Sequence, residues 1–584
     1  MKKLLLGNEA VARGLFEAGV SVVSSYPGTP STEITEYASE YDEMYSEWAP
    51  NEKVSLEVSI GSAIAGKRAF SGMKHVGLNV AADPLFTVAY TGINAGLVVA
   101  VADDPGMHSS QNEQDSRHYA RAAKLPMLEP ASSAECLAYT KLAYDLSEEF
   151  DSPVLLRLTT RISHARSLTP VGERVEKPAV PYKKDVMKYV MMPAMARPRH
   201  VVVEARAQQL IAWAEEAAIN TTELNPDARI GGARVGVISS GAAYAYTKEA
   251  LGNTASYLKL GMVYPLPEKL IRDFAAQVDT LYVVEELDSF IEAHCRTMGL
   301  SVIGKDLFPL CGEFSQSLIR EKILGETPAT MSLPEALPPR PPVMCAGCPH
   351  RGVFHALNRL GVFVSGDIGC YTLGSSAPLS AIDACVCMGA SISGAHGVSK
   401  AVGKINGKLP VAVIGDSTFM HSGVTGLINV AYNKAATVTI ILDNSITGMT
   451  GHQQNPTTGL TIKGDPTIAV DLEALCRAVG IQNVTVCDPY DLQGTLAIVK
   501  AAVEGDEPAV IIARRPCALL KTVRHKAPLA VDNDKCIGCK ACLRIGCPAT
   551  SMKDGKMLIN HNQCVGCGQC VSLCAFGAIE GVEA

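Results

Sequence analysis

Between residues 536 and 574 the chain places eight cysteines in two runs, C-x2-C-x2-C-x4-C-P and C-x2-C-x2-C-x3-C. Disulfide frameworks serve short secreted chains that bury too little apolar surface, whereas this chain has 584 residues, 47% of them apolar. Thiols at these spacings are metal ligands first. Zinc also accepts four thiolates, but the compressed triplets Cys536-Cys539-Cys542 and Cys564-Cys567-Cys570 favour iron with sulfur, closed by Cys547 and Cys574. Electron transfer is expected of such a tail, with fold stapling as the plainer alternative.

The rest of the chain reads as several α/β domains. Strand-like runs at Val20–Ser24, Gly77–Val80 and Leu97–Val101 punctuate a first domain over 1–180. A linker and helical connection over 181–231 follows, beginning in the proline-bearing stretch 178–198. A second α/β domain spans 232–325, with strands at Arg234–Ser239 and Thr280–Val284. Six prolines between 326 and 343 mark a linker. A third α/β domain over 344–520 carries strands at Val411–Ile414 and Thr437–Leu442, and the cysteine module occupies 530–584. Formal charge is -7, with no basic block, which argues against a nucleic-acid surface. The opening run of three leucines is too short for a signal core or a membrane span, so the chain is expected to stay in the cytoplasm.

The tail resembles two-cluster ferredoxins. That resemblance implies two four-iron four-sulfur clusters with crossed ligation, Cys536, Cys539 and Cys542 joining Cys574, while Cys564, Cys567 and Cys570 join Cys547. The chain departs from the pattern in the four-residue gap before Cys547 and in Ala575 after Cys574.

Upstream, VAVIGDSTF ends a strand in Gly415-Asp416, and TVTIILDNSI ends the next in Asp443-Asn444. A carboxylate and an amide at two strand ends can coordinate a small hard cation bound to phosphate. Asp416, Asn444 and the carbonyl of Ile446 are the expected Mg²⁺ ligands, an Asp turn and an Asn turn the bland alternative. The segment resembles the pyrophosphate-binding domain of thiamine diphosphate enzymes. Those enzymes need a carboxylate against the aminopyrimidine ring, and in PNEKVSLEVSIGSAIAGKRA the matching residue is Glu57, with Glu52 its rival.

SYPGTPST at 25–32 resembles the opening of the pyrimidine domain of 2-oxoacid:ferredoxin oxidoreductases, which implies that Thr29 contacts the substrate carboxylate. Where pyruvate-using members have an arginine clamp this chain has Asp103; His108, Gln111 and Arg117 are polar replacements to be considered. MCAGCPHR, GDIGC and RRPC resemble the segments holding a proximal cluster in that family. They imply a third cluster on Cys345, Cys348, Cys370 and Cys517, with Cys385 and Cys387 as alternative thiols and packing cysteines as the plain alternative. The ordered set is similar to the indolepyruvate-oxidising branch of these thiamine diphosphate-dependent enzymes, large subunits that act with a small subunit, coenzyme A and an external ferredoxin. Met449 stands where the pyruvate enzymes contact substrate through an asparagine, and an adaptable apolar side chain suits an aryl 2-oxo acid such as indolepyruvate. The resemblance implies oxidative decarboxylation to an aryl-acetyl-CoA. Two other functions compatible with the motifs are a non-redox decarboxylase, which would release aldehyde, and a non-catalytic electron-transfer subunit.

Overall fold

The computed structural model describes residues 1–327, 329, 335–338 and 340–581. The proline-rich stretch 326–343 thus lies partly outside the described residues. The chain divides into two compact units, Met1–Pro334 and Glu335–Ala584.

The first unit is built on a seven-stranded sheet in the order Met262–Tyr264, Met127–Leu128, Val154–Thr159, Leu97–Asp103, Ala69–Lys74, Val22–Ser25 and Tyr45–Trp48. Every pairing is parallel except that of Met262–Tyr264 with Met127–Leu128. The central strands are buried along their whole length, as continuous apolar runs are when helices cover both faces of a parallel sheet. Gly77–Val80, strand-like in sequence, is instead part of a helix, His75–Val80. The adjacent sheet position is taken by Ala69–Lys74, and a short apolar run has no periodicity to separate strand from helix. The helix bearing Glu57 starts five residues earlier than that residue, at Glu52, because the Asn51 side chain accepts the Val54 amide at 2.9 Å as an N-cap.

A second sheet in this unit, with order Thr280–Val284, Val235–Ser239, Ser256–Lys259 and Thr221–Glu223, carries its own apolar clusters. The long helix Pro193–Glu216 begins with Pro193 at its first turn, where a missing amide costs nothing, so part of the proline-bearing stretch read as linker is helical.

The second unit holds a six-stranded, all-parallel sheet: Ala384–Cys385, Val364–Gly366, Val411–Gly415, Val438–Asp443, Ala509–Arg514 and Asn483–Cys487. Its ligand-bearing loops leave the carboxyl ends of these strands, the edge at which parallel sheets bind ligands. Two small antiparallel ribbons, Leu529–Val531 with Ile579–Gly581 and Thr550–Lys553 with Lys556–Ile559, frame the cysteine-rich tail. The apolar cluster there includes Cys536, Cys542 and Cys570 themselves, so this module is organised around its sulfurs. Among the described residues no helix is long and apolar enough to cross a membrane.

Candidate active site and cluster ligands

In the second unit, strand Val411–Gly415 delivers Asp416 to the start of a helical run and strand Val438–Asp443 delivers Asn444 beside it. Asp416 is buried, and Asn455 and Thr457 donate to its Oδ2 at 3.5 and 3.2 Å. The side-chain amide of Asn444 lies 3.1 Å from Asp416 Oδ1 and 2.7 Å from the carbonyl oxygen of Ile446. With its nitrogen turned inward the amide donates to both; with its oxygen turned inward the same point is bounded by three oxygens, those of Asp416, Asn444 and the Ile446 carbonyl. That is repulsive unless a cation sits among them, and hard divalent ions take this donor set. Burial, reinforced by Asp443, pushes the Asp416 carboxyl up to about 7, so its anionic form needs the positive partner a divalent ion would supply. The residues therefore fit Mg²⁺.

The GDIGC loop is fixed nearby. Fully buried Asp367 accepts from the amides of Ile368, Gly389 and Ser391 at 2.9, 2.8 and 3.0 Å, tying the loop to the start of helix Ala390–Val402. Cys370 is thereby held facing a cavity of about 240 Å³ lined by Cys345, Cys348, Cys370 and Cys517, with Asn444, Met449 and His452 on its wall. Four cysteines separated by up to 172 residues (517 − 345) line one space. Cys385 and Cys387 are exposed and do not line it. Met449 stands 52% exposed beside Asn444 and the cysteines.

In the tail, a second cavity is lined by Cys536, Cys539, Cys542 and Cys574. Among the thiols that act on Cys570, Cys567, Cys547 and Cys564 come first, with Cys542 of the other set after them. Main-chain amides point at the sulfurs: Met557 to Cys536 at 3.5 Å, Leu529 to Cys564 at 3.4 Å and Ala578 to Cys574 at 3.3 Å. A zinc ion held at about 2.3 Å from each thiolate would draw its four sulfurs to about 3.8 Å from one another. Among the described residues, the group whose ligand atoms crowd within 4.8 Å is Asp115, His118 and Asp288, and no cysteine set does so. Sulfurs grouped yet held apart suit a larger inorganic body such as a cubane.

The first unit presents its residues differently. Glu57 is exposed, and among the described residues its carboxylate pairs with Lys53, one helical turn away. A Cβ on Gly61, on the same stripe of that helix, would meet nothing within 4 Å, whereas Gly66 lies tightly under the chain at Val180. Glu52 is 4% exposed and packed against Gly77. Thr29 lies in the loop that follows strand Val22–Ser25, where Ser109 Oγ donates to its carbonyl at 3.3 Å.

Of the polar replacements for the missing clamp, Arg117 and His108 have partners within this unit. Arg117 is 1% exposed and pairs with Asp115 and Glu285, each at 2.5 Å. It is a packing cation with no donors facing a substrate. His108 lies 3.4 Å from Glu313, itself gripped by Arg161 at 2.6 Å, and Gln111 is exposed. Asp103 is neutralised by Arg157 at 2.8 Å and by Ser116, which explains an acid in that position: it belongs to a buried ionic network.

Lys74 escaped the sequence reading. It ends the fully buried strand Ala69–Lys74, next to the strand that feeds the Thr29 loop, and Gly28 sits against its Cβ. Its ammonium donates to the Ser109 carbonyl at 2.6 Å, and burial pushes it down to about 8, opposed in part by Asp104. A charged residue closing an otherwise apolar strand is the signal that could have found it. A buried ammonium beside Thr29 and Ser109 can accept an anionic group.

Three family models match the chain: pyruvate flavodoxin/ferredoxin oxidoreductase, thiamine diphosphate-binding, over residues 13–223; the C-terminal thiamine pyrophosphate-binding domain of thiamine pyrophosphate enzymes, over 367–513; and a 4Fe-4S dicluster domain, over 529–575. With the sites above, they define a thiamine diphosphate-dependent oxidoreductase that carries iron–sulfur clusters. The indolepyruvate oxidoreductase subunit IorA of Archaeoglobus fulgidus is 42% identical, covering 95% of this chain and 98% of the relative. That of Methanothermobacter thermautotrophicus is 40% identical, covering 99% and 97%, and that of Pyrococcus horikoshii 39% identical, covering 100% and 97%. The chain belongs to the IorA family of indolepyruvate oxidoreductase subunits.

Proposed function

We infer that this chain, as the large subunit of a two-subunit cytoplasmic enzyme, oxidatively decarboxylates aryl 2-oxo acids such as indolepyruvate. The balance is one 2-oxo acid anion, one coenzyme A thiol and two oxidised ferredoxins giving the aryl-acetyl thioester, CO₂, one proton and two reduced ferredoxins. Thiamine diphosphate supplies the carbanion chemistry when bound, and iron–sulfur clusters take up electrons singly.

The protein's own groups divide the remaining work. Asp416, Asn444 and the Ile446 carbonyl hold Mg²⁺ and through it the diphosphate. Glu57 holds the proton shared with the aminopyrimidine nitrogen. Thr29 and Lys74 receive the substrate carboxylate, and Met449 offers apolar contact to the aryl group. Cys345, Cys348, Cys370 and Cys517 hold a third cluster, and the tail holds two more in crossed ligation. In domain terms, 1–180 is the pyrimidine domain, 232–325 a transketolase C-terminal-like domain, 344–520 the pyrophosphate domain and 530–584 the ferredoxin-like module.

The observation that carries this inference is the single wall shared by the cation ligand Asn444, the apolar side chain of Met449 and four cysteines, since it puts carbon chemistry and electron removal side by side. The test is anaerobic turnover by the purified two-subunit complex with thiamine diphosphate, Mg²⁺, coenzyme A and ferredoxin. Indolepyruvate is expected to outcompete pyruvate. Preference for pyruvate would overturn the aryl assignment, and aldehyde release without ferredoxin reduction would overturn the redox assignment.

A further inference from the structure

Arg351 follows the CAGC loop by three residues and is 2% exposed. Within the second unit its guanidinium reaches in two directions. Toward the CAGC loop it donates to the carbonyl of Cys345 at 3.3 and 3.2 Å and to that of Met344. Toward the tail it donates to the carbonyl of Ile545 at 3.1 Å and to that of Gly546, the residue before Cys547. Every one of these acceptors is a main-chain oxygen.

Burying a permanent cation costs several kcal/mol, on the order given by ion desolvation, unless an anion compensates it. Arg117 and Arg157, the other deeply buried arginines described above, meet carboxylates. Burial pushes the Arg351 guanidinium down, and the groups near enough to oppose that are Cys348, Cys547, Cys345 and Cys567. Two belong to the dispersed cysteine set and two to the nearer set of the tail. Those thiols can supply negative charge only as thiolates, the form in which they hold metal.

The two loops also touch directly. Gln569, 2% exposed, donates through Nε2 to the Cys348 carbonyl at 3.3 Å and lies 3.8 Å from Cys567 Sγ. A Cβ on Gly347 would stand 2.4 Å from Val565 Cγ2. The Tyr490 hydroxyl donates to the Gly347 carbonyl at 2.5 Å.

We propose that Arg351 is the shared counter-charge of two clusters, that on Cys345, Cys348, Cys370 and Cys517 and that on Cys547, Cys564, Cys567 and Cys570. The proposal rests on the assignment of those two ligand sets made above. A positive charge between two clusters stabilises the reduced, more negative form of each, so Arg351 raises both reduction potentials. It is a positioning residue and does not touch substrate.

The test is a redox titration followed by electron paramagnetic resonance on the purified two-subunit complex, with iron counted first. Wild-type protein with only two clusters would defeat the ligand-set assignment before Arg351 is examined. With three clusters present, R351Q is expected to lower the potentials of two of them and leave the Cys536-Cys539-Cys542-Cys574 cluster unmoved. R351K, which keeps the charge but loses the planar fork, is expected to shift the same two by less, and it serves as the reading variant if R351Q does not assemble. Full iron with unchanged potentials, a shift confined to one cluster or an equal shift in all three would overturn the proposal.

Discussion

The two units of this chain spend their charged and metal-ligating groups in opposite ways. In the second unit, the conspicuous groups converge on shared points: the Asp416 carboxylate, the Asn444 amide and the Ile446 carbonyl on one, and cysteines around shared cavities. In the first unit the conspicuous charges, Asp103, Asp115, Arg117, Arg157 and Glu285, pair among themselves and are closed to solvent. Its candidate catalytic carboxylate stands in the open, paired with a lysine. A buried charge that already has its partner holds the fold, whereas a group placed at some cost without one is waiting for a ligand.

The sharpest way to break that contrast is at Glu57. Glu57→Gln is expected to cut turnover by about 10²- to 10⁴-fold, the range for losing a positioned proton partner. Thermal stability and iron content should not change, because the side chain is exposed and its ion pair with Lys53 is a surface one. Full activity in Glu57→Gln with loss in Glu52→Gln would move the role to the buried rival.

Next in size is Cys370→Ser. If the dispersed cysteines form a ligand set, iron should fall from about twelve to about eight per chain. Dithionite should still reduce the tail clusters, while reduction by substrate is lost. An unchanged iron count would leave these four as packing thiols and restrict cluster ligation to the tail.

The ease with which these features could be read from sequence follows from how local each one is. The tail declares itself because its ligands lie two to four residues apart, and Asp416 and Asn444 because each ends a strand of continuous apolar residues. Leu97–Asp103 and Thr280–Val284 are legible for the same reason. Gly77–Val80 is not, since four small and apolar residues fit either a strand or one turn of helix, and tertiary placement decides. Arg117 was open to reading as a substrate contact because its partner Glu285 is brought to it by packing across 168 residues, beside its near neighbour Asp115. Arg351 was passed over for the converse reason: its hydrogen bonds go to main-chain carbonyls brought together by packing and, among the described residues, to no carboxylate.

Lys74 extends the comparison as the exception within the first unit, a buried charge whose hydrogen bonds go to Ser109 alone. If it receives the substrate carboxylate, Lys74→Met should raise KM by about 10- to 100-fold, the worth of one charge-assisted hydrogen bond, with a smaller change in kcat. The sign with pH follows from burial. Only the protonated amine attracts a carboxylate, and its pKa is pushed down to about 8, so KM should be flat below that pH and rise above it. The rise should vanish in Lys74→Met. A pH-dependent KM that survives the substitution would assign the step to another group.

The smallest expected effect is at Met449, and it tests whether the open wall of the second unit's cavity selects substrate. Met449 shares that wall with Asn444 and the cysteines but is half exposed, so part of its apolar surface is available to a ligand. Covering an aryl group there contributes through area and shape alone, and one such contact is worth about 1–3 kcal/mol of discrimination. Met449→Asn should therefore lower the ratio of kcat/KM for indolepyruvate over pyruvate by about tenfold or somewhat more, chiefly through KM for the aryl acid. Because an apolar wall does little to reject a small substrate, pyruvate turnover should change much less than indolepyruvate turnover. Equal losses for both acids would mean that the substitution disturbs the neighbouring cation or cysteine ligands, and would remove Met449 from the specificity of the site.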